Sequence, residues 1–132
     1  MDATIADAAK SALKDASRFV FFNEQGVIAS SFTVDASELK GLQALYNDRD
    51  EAIRHGMNVL GTRYEVHRYH PPLVYGRTMG GVPEQSEGIA LCRVEAKGGQ
   101  SVYGLITYQM PNISARMVPL LQKFCQDHLE GK

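Results

Sequence analysis

Four groups of side chains in this sequence carry reactive or ligand-binding potential. Arg63, Arg68 and Arg77 fall on adjacent predicted strands, and Lys123 falls on the last predicted helix. A strand holds a guanidinium rigidly, and its planar fork suits carboxylate or phosphate. Such a plate would meet an acidic protein partner or an anionic lipid head group; the plain alternative is a solvated sheet face. His67 and His70 are the metal candidates, but three positions apart on a strand they point to opposite faces, so no metal site is expected. His128, on an apolar helix face, fits a hydrogen-bonded boundary histidine better than a ligand. Cys92 and Cys125 sit on apolar stretches far apart in the chain. They read as reduced core thiols of a reducing compartment, with a disulfide as the alternative. Tyr64, Tyr69, Tyr75, Tyr103 and Tyr108 form an aromatic band, which on strands serves cross-strand packing. A base-stacking platform would want basic neighbours.

No catalytic template fits. The sequence has no phosphate-cradling Gly-rich motif opening a helix and no G-x-S-x-G elbow, and neither cysteine has a CxxC partner. No enzyme activity and no cofactor are expected. A formal net charge of -1 gives no general basic surface for nucleic acid. At 132 residues, 44% hydrophobic and 22% charged, the chain reads as one globular domain spanning 1–132. No long apolar run marks a secretory or transmembrane segment, so a soluble, cytoplasmic protein is expected.

These side chains must be positioned by an alternation of helix and strand. Ile5, Ala8, Ala9, Ala12, Leu13 and Ala16 recur at helical spacing over Thr4 to Ala16. Arg18 to Asn23 and Val27 to Phe32 flank a Gly-containing turn and predict a hairpin. Asp35 and Glu38 have capping-box spacing, ahead of a stripe of Leu39, Leu42, Leu45 and Tyr46. Asp48 or Asp50 starts a second short helix, with Ala52 and Ile53 inward, ending at Gly56. Met57 to Leu60, Arg63 to Tyr69 and Leu73 to Thr78 read as strands, and Met79 to Glu87 as a loop. In the second of these strands, Tyr64 and Val66 alternate with Glu65 and His67. Ile89 to Glu95 and Ser101 to Tyr108 form a second hairpin, in which Gly104 signals a bulge or close packing. Ser114 to Leu129 is helical, with Val118, Leu121, Cys125, His128 and Leu129 on one face. Pro119 suggests that the regular helix starts near Val118. The fold class is therefore α+β, with terminal helices on one face of an antiparallel sheet.

Gly56-Met57-Asn58-Val59-Leu60-Gly61-Thr62-Arg63-Tyr64-Glu65-Val66 resembles the central strand pair of profilins. Glu24 to Phe32 is similar to their second strand, Asp127-His128-Leu129 to their C-terminal Asp-Tyr-Leu, and the element order is the profilin order. The resemblance implies a sheet of about six to seven strands, with N- and C-terminal helices on one face and short helices on the other. It implies actin-monomer binding through Arg63, Arg68, Arg77, Asn112 and Lys123, although Gln109-Met110-Pro111-Asn112 lacks the family's Gly pair. It further implies a monomer of the cytoplasm and cytoskeleton, with phosphoinositides as additional ligands. The poly-proline site is depleted: the chain has no Trp, and Ile28, Cys125, His128 and Leu129 are what remains at its positions. Binding there should be weak or absent, because that mode needs aromatic faces. Two other readings stay open. One is a profilin-fold subunit of a cytoskeletal or ciliary assembly, or a phosphoinositide binder, that has left actin behind. The other is a roadblock- or longin-like module of a trafficking or dynein complex.

Overall fold

The computed structural model describes residues 2–79 and 82–132. Among them lie α1 (Ala3–Ala12), β1 (Arg18–Asn23), β2 (Gly26–Ser30), α2 (Ala36–Ala44), α3 (Arg49–His55), β3 (Met57–Val59), β4 (Thr62–His70), β5 (Leu73–Arg77), β6 (Glu87–Glu95), β7 (Ser101–Gln109) and α4 (Ser114–His128). The strands form one antiparallel sheet in the order β2-β1-β7-β6-β5-β4-β3. The expected architecture is thus present: α+β, with α1 and α4 on one face and α2 and α3 on the other. Gly80 and Gly81, in the predicted loop after β5, and Met1 lie outside the described residues.

Period-two alternation sorts each strand between two cores. Phe19, Phe21, Ala90, Cys92, Ile106 and Tyr108 meet Leu121, Phe124 and Cys125 of α4. Val20, Phe22, Ile89, Leu91 and Leu105 meet Leu39 and Leu42 of α2, Ala52 of α3 and Met57 of β3. Two close approaches need glycine. A Cβ at Gly104 would lie 2.6 Å from Cys125 Sγ and 2.9 Å from the Phe21 ring. A Cβ at Gly88 would lie 2.2 Å from the ring of Tyr108, its partner across the β6–β7 ladder.

Several local expectations need correction. Helix α1 ends at Ala12; it buries Ala6 and Ala9 and leaves Ala12 exposed, and Leu13, just past its end, is buried. Asp35 caps α2 by accepting from the Ser37 amide at 2.8 Å, but Glu38 does not reach back to complete a capping box. Its two carboxylate oxygens accept instead from the Leu60 and Gly61 amides, at 2.8 and 3.0 Å. Those residues form the β3–β4 turn and have φ of 53° and 75°, so nonlocal donors win the carboxylate. Ile53 faces outward and is 38% exposed, because the short α3 buries only Ala52. Pro119 lies inside α4, on its exposed side, where solvent can serve the carbonyl left without a donor.

The most consequential departure is in β4. Val66 pairs with Gly76 and Arg68 with Tyr75, so His67 is an extra, bulged residue. Strict alternation would put Arg68 on the face of Tyr64 and Val66. The bulge moves it to the face of Tyr75, the α4 side, and turns Tyr69 inward, where its hydroxyl donates to the Leu45 carbonyl at 2.8 Å.

Candidate functional site

The α4-side face of β4 and β5 extends beyond the cover of the terminal helices. Arg63, Arg68 and Arg77 all project there, the first and last by register and Arg68 through the bulge. Their circumstances differ. Arg63 is clamped: Nε and Nη2 donate to Glu65 at 3.2 and 3.0 Å, and Nη2 also donates to the Arg54 carbonyl at 2.9 Å. Arg77 is half-buried; it donates to Ser86 Oγ at 3.0 Å and to the Ser86 carbonyl at 3.1 Å. Its guanidinium lies 5.9 Å from the centroid of the Tyr108 ring. Arg68 is exposed and has no hydrogen bond or ion pair with any described residue. It is the arginine of this set free to bind something else.

The other two candidates are engaged inside the chain. Asn112 donates to the Asp15 carbonyl at 3.2 Å and accepts from Arg116 at 2.9 Å, and Arg116 also pairs with Asp15. This knot ties the start of α4 to the α1–β1 connection. Lys123 pairs with Asp127 one turn on, at 2.7 Å. That hydrogen bond holds the Asp127 carboxyl below the ordinary aspartate range. Tyr108 connects sheet and helix: its hydroxyl lies 2.7 Å from Ser114 Oγ in the first turn of α4.

On the surface formed by α1 and α4, Ile28 is half-buried and packs against the terminal-helix core. Cys125 and Leu129 are buried and offer a ligand no surface. His128 is half-buried and stacks on Phe124 with centroids 4.4 Å apart. Of these four expected residues, only Ile28 and His128 reach the surface, each in part.

Two features gave no sequence signal, because each joins elements distant in the chain. Glu87, only 14% exposed, accepts from Arg18 at 3.1 Å, from Gln109 at 3.2 Å and from the Tyr64 hydroxyl. This fastens β1, β4, β6 and β7 at one end of the sheet. Burial, and then the Glu87 carboxylate, push the Tyr64 phenol well above its ordinary value. On the same side of the sheet, α2 and α3 flank a groove of about 570 Å³ lined by Gly41, Ala44, Leu45 and Ala52. Its rim carboxylates are occupied: Glu38 on the β3–β4 turn, Asp48 capping α3, and Glu51 on Arg54 and His55. Among the described residues, no group of three or more His, Cys, Asp or Glu could hold a metal ion, and no helix is long and apolar enough to cross a membrane.

No known family model matches the sequence, and no curated protein matches it. Solved structures do resemble it. Acanthamoeba castellanii profilin II superposes with a TM-score of 0.74 at 16% identity, covering 94% of this chain and 93% of that one. Schizosaccharomyces pombe profilin gives the same values. LokiProfilin1, solved in complex with rabbit actin, gives 0.71 at 12% identity, covering 94% and 90%. At these identities the likeness shows a profilin-like fold.

Proposed function

We propose that the chain, as one domain spanning 1–132, binds monomeric actin through the exposed β4–β5 face beside α4. It would act in the cytoplasm as a profilin-type cytoskeletal regulator with weak or absent poly-proline binding. One observation carries the reading. Arg68 stands uncommitted on an open sheet face, in a frame similar to that of a profilin solved on actin. Arg77, oriented by Ser86 and the Tyr108 ring, supplies a second, preorganised cation. Charge complementarity of this kind contributes to specificity and association rate.

The test is direct binding to monomeric actin at low and moderate salt. Arg68→Glu and Arg77→Glu should each weaken the complex by about tenfold or more, as expected for reversed charges at an interface. No complex with the wild-type protein, or equal affinity in the charge-reversed variants, would sink the reading.

A second reading has its own support. Arg63, Asn112 and Lys123 are all held by neighbours within the chain, which suits a scaffold serving a fixed assembly instead of free actin. Recovery of one stoichiometric partner in an actin-free pull-down, together with no actin binding, would favour it. Vesicles containing phosphoinositides test the same face for anionic lipid.

A further inference from the structure

Cys92 and Cys125 belong to different layers, β6 and α4, yet they converge. Cys92 lies directly opposite Gly104 in the β6–β7 ladder. Side chains of such partners stand about 5 Å apart on one face. Gly104 has no side chain, and Cys125 Sγ occupies the vacated space, 2.6 Å from where a Cβ would be. The Cys125 thiol therefore packs beside Cys92 in the same core layer. Both residues are fully buried and both are free. The adjacent Cys92 and burial push the Cys125 thiol well above its ordinary range.

We propose that Cys92 and Cys125 form a reversible redox pair, which a hydroperoxide converts into a disulfide bolting α4 to the sheet. One of the two sulfurs attacks the peroxide, cleaving the O–O bond to give a sulfenic acid and an alcohol, or water from hydrogen peroxide. The other sulfur then attacks the sulfenic sulfur and expels its oxygen as water. Two thiol hydrogens are lost, one S–S bond forms, and the peroxide accepts the two electrons. A dithiol reductant reverses the step by thiol–disulfide exchange. The oxidised form would have α4, with its Asn112 and Ser114 anchors, tethered to β6 through a covalent bond. This inference does not depend on the actin reading.

The experiment treats the purified, folded chain with hydrogen peroxide and then alkylates it in denaturant. The expected product is an intramolecular disulfide: intact mass lower by about 2 Da, no alkylated cysteine, and one crosslinked peptide pair containing Cys92 and Cys125. Closing this loop should raise the thermal midpoint by about 10 °C, reversibly with dithiothreitol. Cys92→Ser and Cys125→Ser should each lose the shift. Because a serine in the core can impair folding, the peptide map of the wild-type protein decides independently. Two alkylatable thiols after treatment, an oxygen-adduct mass without loss of hydrogen, or a disulfide between molecules would overturn the proposal.

Discussion

Replacing Gly88 with alanine tests how the sheet holds the candidate face together. A Cβ at that position would meet Tyr108 Cε2 at 2.2 Å and Cζ at 2.7 Å, and Tyr108 is fully buried. The ring cannot yield without moving its hydroxyl off Ser114 and its face away from Arg77. Overpacking in a dense core costs about 1–3 kcal/mol, a lost buried hydrogen bond about 1 kcal/mol, and the weak cation–π contact about 0.5 kcal/mol. A destabilisation of about 3–4 kcal/mol follows. For a chain of 132 residues that lowers the thermal midpoint by about 10–15 °C. Far-UV circular dichroism melts and urea titrations of Gly88→Ala measure it. The same substitution in a Tyr108→Leu background should cost under about 1 kcal/mol, since the obstructing ring is gone. A cost below about 1 kcal/mol in the wild-type background, or equal costs in both, would refute the steric argument.

Three further outcomes are expected. Glu38→Ala should destabilise the chain by about 1–2 kcal/mol in urea titration, because two amides of a left-handed turn lose a charged acceptor; an unchanged midpoint would count against that clamp. Calorimetric titration with a proline decamer should detect no micromolar complex, and a clear micromolar isotherm would show that the half-buried His128 ring suffices. Stability should fall in acid. Hydrogen bonds from Arg54 hold the Glu51 carboxyl, and one from Lys123 holds the Asp127 carboxyl, below their ordinary values of 4.5 and 3.8. A depressed folded-state pKa contributes stability that is present above the ordinary value and lost as pH falls through the folded one. Melts at successive pH values below about 4.5 should therefore show a falling midpoint, less steeply in Glu51→Gln.

Much of the frame is legible in the sequence where local chemistry decides it. The β1–β2 and β6–β7 hairpins, the Asp35 cap, the leucine stripe of α2 and the close packing at Gly104 depend on near neighbours or on period, and the structure shows each. Most of the misses come from competition by residues distant in the chain. Glu38 has capping-box spacing, but the Leu60–Gly61 amides are better donors. The Glu87 hub draws on β1, β4 and β7 at once. Ile53 has the right period, but α3 is too short to bury a second apolar side chain. The candidate site was legible by residue type only. That Arg63, Asn112 and Lys123 are engaged within the chain, while Arg68 is not, follows from partners that no spacing reveals.

The orientation of Arg68 is a matter of counting. With His67 present, the strand after it runs half a period out of phase, so a guanidinium reaches solvent where an unbroken strand would drive it into an apolar layer. Removing one residue there would exchange the fates of Arg68 and Tyr69, burying a charge and stranding a ring. This stretch should therefore tolerate replacement of its side chains far better than any change in its length.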